Sequence, residues 1–256
     1  MSYTGKVALV SGGTRGIGFN VSKSLIEKGV FCYITGRNKE DGLNAQEELG
    51  SNSRYVQLDV TNERAVIELF DLIRKEHGRL DFAVNNAGIT TKRASVQELD
   101  LNEWNRVLQV NLVGPLLLMS HQIRLMGLGD KGSIVNVSSC GGVLGQPRQS
   151  AYSTSKAALN MLTQVAAVES ANPPEGLSVV RINAVCPGPT LGGMNTKERL
   201  RANPASTEEK IQSTAMKRFA EPEEITAAIL WLLGEQSSYV TGTLLSVDGG
   251  FSAGKF

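Results

Sequence analysis

The sequence predicts an α/β protein: one domain built on a parallel sheet covered by helices on both faces. Three observations predict it. Short runs rich in β-branched and apolar residues recur along the whole chain. Each is followed by a longer segment with apolar residues at helical spacing, and no linker, repeat or low-complexity segment breaks the alternation. The apolar runs are continuous rather than alternating, the mark of strands buried on both faces. At 256 residues the chain is long enough for one large core.

The elements follow in order. KVALVSGG (Lys6–Gly13) reads as a strand running into a glycine turn, and GFNVSKSLIEKG (Gly18–Gly29) as an amphipathic helix closed by glycine. VFCYITG (Val30–Gly36) is a second strand, KEDGLNAQEELG (Lys39–Gly50) a helix and SRYVQLDV (Ser53–Val60) a third strand. A longer helix spans Asn62–Gly78, and RLDFAVNNAG (Arg79–Gly88) is a fourth strand with its turn. A long helix is expected over Asn102–Met126, a strand over Gly132–Ser139, another long helix over Ala151–Ser170 and a strand over Leu177–Gly188. Pro187 to Met216 reads as irregular. Helix PEEITAAILWLL (Pro222–Leu233) and strand TGTLLSVDGG (Thr241–Gly250) close the chain.

Composition narrows the function. With 41% apolar and 20% charged residues and a net charge of +1, nothing supports a nucleic-acid or anionic-membrane partner. The apolar run Val7–Val10 is too short for a signal h-region or a membrane span. Cys32, Cys140 and Cys186 form neither a metal-ligand spacing nor a disulfide framework, and a reducing cytoplasm is expected. His77 and His121 lie far apart and suggest no metal site. Trp104 and Trp231 read as packing residues on helices, and Cys140 and Cys186 as small buried fillers. Arg93 and Arg148 flank loops where an acidic substrate group or plain solvent are equal readings.

SGGTRGIG (Ser11–Gly18) sits between the first strand and the first helix, where a dinucleotide fold binds pyrophosphate. Its glycines let the backbone approach phosphate, and the helix N-terminus supplies free N–H groups. The spacing is Gly12-x-x-x-Gly16-x-Gly18, with Thr14, Arg15 and Ile17 between. The second strand decides which dinucleotide. An NAD-selective site places a carboxylate at its end; here Gly36 stands there, followed by Arg37. Arg15 and Arg37 with no facing carboxylate suit a 2′-phosphate, which points to NADP(H), although Asp41 lies nearby.

SGGTRGIG, Asn85–Gly88, Asn111, Ser138–Ser139, Tyr152-x-x-x-Lys156, Pro187–Gly188 and VTGTLLSVDGGF occur in that order. One such motif is weak; the series, over essentially the whole chain, resembles the short-chain dehydrogenase/reductase family. The resemblance implies a Rossmann-type doubly wound sheet of about seven strands, with a cofactor half over residues 1–140 and a catalytic and substrate half over 141–256. It also implies a nicotinamide cofactor and a homotetramer of 222 symmetry, or a homodimer, with a contact through Val247 to Phe256. By the same resemblance Ser139, thirteen residues before Tyr152, is the catalytic serine, and Asn111, Tyr152 and Lys156 complete the set. Asp59 and Val60 contact the adenine, Asn86, Ala87 and Gly88 line the cofactor, and Pro187 and Gly188 border the nicotinamide. Gly192 occupies the position where the family often has threonine, leaving Thr190 and Thr196 as candidates for that contact.

The chemistry follows from the residue types. Tyr152 and Lys156, four apart on a helix, share one face. A free tyrosine titrates near ~10, so acid–base work at neutrality needs a lower pKa. The Lys156 ammonium and an oxidised nicotinamide ring are expected to lower it, about three units requiring roughly 4 kcal/mol. Lys156 would also hold the nicotinamide ribose, Ser139 would bond the substrate oxygen, and Asn111 would position a water beside Lys156. The expected reaction is NADP(H)-dependent reduction of a ketone, a 3-oxoacyl thioester first, with sugar, steroid or other secondary alcohols as alternatives. The rival is a cofactor-binding sensor or scaffold without catalysis.

Overall fold

The computed structural model describes residues 3–254. Seven strands form one all-parallel sheet: β1 (Val7–Ser11), β2 (Phe31–Gly36), β3 (Ser53–Gln57), β4 (Phe82–Asn85), β5 (Gly132–Val137), β6 (Val180–Pro187) and β7 (Leu244–Val247). Their order across the sheet is β3-β2-β1-β4-β5-β6-β7, so the chain reverses its direction of growth between β1 and β4. Such a switch point opens a crevice at the carboxyl ends of the strands.

Both faces are covered, as the continuous apolar strands require. Along β1, Val7 and Leu9 pack into one cluster while Ala8 and Val10 pack into the other, the period-2 alternation of a strand. The first cluster is closed by α3 (Glu63–His77), α5 (Gly114–Gly127) and α6 (Ser150–Ala171), through Leu69, Ile73, Leu118, Met126 and Ala166. The second is closed by α1 (Gly16–Glu27) and α9 (Pro222–Leu233), through Val21, Leu25, Ile225 and Ile229. Helix α2 (Lys39–Leu49) packs Ala45 and Leu49 on Ile34 at the sheet edge.

The long helix expected over Asn102–Met126 is continuous: α4 (Leu101–Leu108), a π-helical turn over Gln109–Val113, and α5. The wider turn lies where Asn111 bonds Ile89 across the cleft, and Gly114 and Pro115 follow it. π-Turns of this kind gather at functional sites. One expectation needs correction. The stretch expected to be irregular holds α7 (Lys197–Ala202), capped by Thr196, and α8 (Pro204–Gln212), opened by proline. Their brevity and polar composition leave little apolar periodicity to read.

The bland readings divide. His77 packs against Phe31 and Tyr33, and His121 stacks on Phe70. Cys140 and Cys186 are buried. Trp231, expected to pack, stands 39% exposed. On the outer side of α5 and α6, Leu116, Met161, Val165 and Val168 are exposed, the last at 76%. The expected C-terminal contact reaches Lys255 and Phe256, which lie outside the described residues.

Asp81 ties the amino end of the sheet together. It is 3% exposed and accepts hydrogen bonds from Val7 N–H and Lys6 Nζ, each at 2.9 Å, and from the Arg79 guanidinium. Burial alone would raise its pKa, but Arg79, the Val7 N–H and Lys6 together hold the carboxyl below its usual range. A depressed carboxyl contributes stability that is present above its unfolded pKa, about 3.9, and lost as pH falls through the lower folded value. Asp81→Asn should therefore cost about 1.5–3 kcal/mol at neutral pH. That cost should begin to shrink below about pH 4, where the carboxyl of the unfolded chain takes up a proton, and fade as pH falls through the lower folded value. Thermal unfolding of both proteins down to about pH 2 checks this; a difference that stays constant counts against it.

Candidate active site

The glycine loop joins β1 to α1 directly over the switch point. Asn86, just past β4, donates from Nδ2 to the Gly12 carbonyl at 2.8 Å, and the Ser11 hydroxyl accepts from the N–H groups of Asn86 and Ala87. The loop is thereby stitched to the end of β4. Gly12 has φ +64°, a conformation that favours glycine, and a Cβ at Gly18 would lie 2.3 Å from the Gly12 carbonyl oxygen. Arg15 is the N-cap of α1, and no side chain caps this helix. Its first N–H groups are therefore free to meet an anion.

Beside the loop lies a cavity of about 480 Å³ at the carboxyl ends of the strands. Gly12, Thr14, Arg15 and Ile17 line one side. Arg37, Asp59 and Val60 line the far end, where Thr35, Gly36, Asn38, Asp41 and Leu58 also face it. Asn86, Ala87 and Gly88 form the floor. Ser139, Tyr152, Lys156, Pro187, Gly188 and Thr190 line the opposite end. Gly16, Gly18 and Asn111 stand behind the wall rather than in it. Gly16 lies under Gly193, whose N would be 2.9 Å from a Cβ there. Thr196 caps α7 and does not line the cavity, so of the two candidate threonines Thr190 is the one that faces it.

Thr35 gives the cavity a polar demand. Its Oγ1 is buried and has no hydrogen-bond partner. It missed notice in the sequence because it is one more β-branched residue in an apolar strand. An orphan hydroxyl, uncapped helix N–H groups and two guanidiniums along one elongated groove fit a dinucleotide. Asp59 accepts from the Thr61 N–H and hydroxyl. Burial would raise its pKa, but Thr61 and then Arg37 bring it below the usual range.

At the other end, α6 carries Tyr152 and Lys156 towards Ser139, which follows β5. Ser139 Oγ accepts from the Gly141 N–H at 3.1 Å. Lys156 is 3% exposed and donates from Nζ to the Val137 carbonyl at 2.8 Å. Burial lowers its pKa to about 8. Burial pushes the Tyr152 phenol up to about 12, against a smaller lowering by a hydrogen bond from Ser139. The Lys156 ammonium lies 5.9 Å from its ring centroid.

Asn111 works from behind. Its Oδ1 accepts from the Ile89 N–H at 2.8 Å, and its Nδ2 donates to the Ile89 carbonyl at 2.9 Å and to Ser155 Oγ at 3.1 Å. Ser155, which no motif singles out, in turn donates to the Tyr152 carbonyl at 2.7 Å. A Cβ at Gly88 would lie 3.4 Å from Asn111 Oδ1 and 3.5 Å from Lys156 Nζ, so both groups flank that glycine. Of the two loop arginines, Arg93 pairs with Glu209 of α8 at 2.8 Å, and Arg148 sits at φ +62° beside the bridge between Ala94 and Gln149.

Fold and site together define an α/β oxidoreductase of the dinucleotide-binding kind. A family model described as enoyl-(acyl carrier protein) reductase matches residues 12–252. The chain is 36% identical to cis-4-hydroxycyclohexanecarboxylate dehydrogenase of Sinomonas cyclohexanicum, over 98% of each protein. It is 38% identical to cyclopentanol dehydrogenase of Comamonas sp., over 97% of each. It is 33% identical to the NADP-dependent (R)-specific alcohol dehydrogenase of Lentilactobacillus kefiri, again over 97% of each. The crystal structure of gox2181 superimposes with a TM-score of 0.88 at 27% identity, covering 97% of this chain and 96% of that one. The chain belongs to the short-chain dehydrogenase/reductase family, whose members here act on secondary alcohols and ketones.

Proposed function

We propose that the protein is an NADP(H)-dependent oxidoreductase that interconverts a ketone and a secondary alcohol, with Tyr152 as the acid–base group. The observation that carries this reading is the meeting of Ser139, Tyr152 and Lys156 at one end of a groove whose other end holds Arg37. A protein kept only as a sensor or scaffold would have no need of that trio.

A bound nicotinamide dinucleotide supplies or accepts the hydride. The chain's own groups handle the rest. The Ser139 hydroxyl donates to the substrate oxygen and stabilises the charge that develops there. Tyr152 delivers its proton to the same oxygen in reduction and takes it back in oxidation. Burial in the protein by itself pushes the Tyr152 phenol up to about 12, so it stays protonated at neutrality. Taking the proton back requires the positive charge of an oxidised nicotinamide. Lys156 would hold the ribose hydroxyls of that cofactor, and Asn111 fixes the Ile89 backbone.

Arg15 and Arg37 favour a cofactor with a 2′-phosphate, since Gly36 leaves no carboxylate at the end of β2. Asp41 faces the same end and tempers their field. Relatives named for hydroxycyclohexanecarboxylate and cyclopentanol favour a small cyclic secondary alcohol or its ketone as substrate. A 3-oxoacyl thioester is the second reading, favoured by the acyl-carrier description of the matching family model. Three free, buried cysteines suit a reducing cytoplasm, and no helix among the described residues is long and apolar enough to cross a membrane.

The exposed row Met161, Val165 and Val168 on α6, with Leu116 on α5, supports self-association through these helices, as a dimer or a 222 tetramer.

Three measurements test these readings. Tyr152→Phe should bind cofactor with native affinity and retain less than about 1% of kcat, a loss of the size general acid–base groups supply; turnover above a few per cent would sink the assignment. Wild-type kcat/KM should favour NADPH over NADH, and Arg37→Asp should reverse the order. The charge-assisted contact is worth roughly ten- to a hundredfold, and equal use of both cofactors by the native enzyme refutes it. Light scattering at micromolar concentration should give two or four times the chain mass of 27.4 kDa, and a monomer mass would overturn the assembly.

A further inference from the structure

The segment from Gly36 to Asn38 carries Arg37 into the cavity, and side chains of the neighbouring strand hold its backbone. Register pairing of β2 with β3 ends at Gly36 and Gln57. The Gly36 carbonyl accepts from the Leu58 N–H at 3.0 Å, and beyond it two side chains of β3 take over. The Tyr55 hydroxyl shares its one proton between the Gly36 carbonyl at 2.9 Å and the Asn38 carbonyl at 3.0 Å. Gln57 Nε2 donates to the carbonyl between them, that of Arg37, at 2.9 Å. Three successive carbonyls, centred on Arg37, are thus held from one side.

Helix α2 is shaped to admit this contact. A Cβ at Gly42 would stand 2.1 Å from the Tyr55 ring, so the ring reaches the loop only because the helix has a glycine there. Glycine is among the weakest helix formers, and a residue chosen for the helix alone would have been different. Asn38 closes the arrangement by accepting from the Glu40 N–H at 2.9 Å, which caps α2. Burial and then the Asp41 carboxylate raise the pKa of Tyr55, so its hydroxyl keeps the proton it donates.

We propose that Tyr55 and Gln57 are positioning residues for cofactor choice: they fix the Gly36–Asn38 backbone so that Arg37 meets the cofactor's 2′-phosphate. This rests on the NADP(H) reading above. A guanidinium grips phosphate through paired donors and must be presented in one orientation. A loop already ordered loses less conformational freedom when the ligand binds. NADH offers a hydroxyl in place of that phosphate and gains little from the placement of Arg37.

Fluorescence titration with NADPH and with NADH tests this in wild type, Tyr55→Phe, Gln57→Ala and the double variant. Phenylalanine keeps the ring in the Gly42 notch, and Gln57 is exposed, so neither change removes packing. The NADPH Kd should rise about three- to tenfold in Tyr55→Phe and further in the double variant, the scale of losing one or two net hydrogen bonds. The NADH Kd should stay within about twofold, because it draws nothing from the grip that is lost. Equal weakening of both cofactors would mark a merely structural role and overturn the proposal. So would an unchanged preference in variants of a wild type that prefers NADPH, which leaves the NADP(H) reading standing. A wild type that binds both cofactors equally removes that reading and the proposal with it.

Discussion

The site depends on the bond between two strand ends. At the switch point β1 and β4 lie side by side, yet the chain leaves them for opposite faces of the sheet: β1 for α1, and β4 for α4 and α5. Strands that part in this way open a crevice, and a crevice floored by loose loops would bind nothing well. Here the Ser11 hydroxyl and the Asn86 amide close the gap between the two ends, and the glycine loop is held within that stitch. Gly12 and Gly18 are fixed in turn, because the loop folds so tightly on Asn86 that side chains would collide.

Beneath this floor a second polar assembly anchors α5 and α6. Asn85 of β4 donates to Gln122 of α5 at 3.0 Å and to Asn136 of β5 at 2.9 Å, and Asn136 donates to Thr163 of α6 at 2.8 Å. All four side chains are almost fully buried. In a low-dielectric interior such a chain tolerates little misalignment, because each broken link leaves a desolvated group without a partner. It fixes α5 and α6 on the strands that carry Asn86 and Ser139. Tyr152 and Lys156 inherit that position, and Asn111 and Ser155 refine it from the side. The chemistry at the top of the sheet is held in place by amides at its middle.

The burial that orders this end also sets its electrostatics. It raises the pKa of Tyr152 and lowers that of Lys156, each away from its charged form. The protein thus presents a neutral phenol close to a lysine whose ammonium is only modestly favoured. Charge supplied by a bound cofactor acts there at low dielectric, where it is felt most strongly. The dinucleotide end is built the opposite way, with exposed guanidiniums on a braced loop. One cavity therefore carries exposed guanidiniums at one end and a buried phenol and lysine at the other.

The sequence by itself determined the fold class and the strand and helix order, because two-sided burial leaves uninterrupted apolar runs and helices leave a 3.6-residue period. It also determined the glycine loop and the order of the chemical residues, since backbone approach and acid–base work admit few residue types. Tertiary structure alone decided several matters. The π-turn around Asn111 leaves no signal in the helical pattern; it coincides with the bonds of Asn111 to the backbone of Ile89. Thr190 rather than Thr196 faces the cavity because the turn over Gly192 and Gly193 carries Thr196 outward to cap α7. Ser155, Tyr55 and Gln57 matter through partners distant in the chain, and Thr35 through a buried hydroxyl left without one. Spacing put Tyr152 and Lys156 on one helix face, but only the fold shows that the lysine donates to a carbonyl of β5. Local pattern fixes which groups a chain owns, and packing against distant segments fixes what each group bonds.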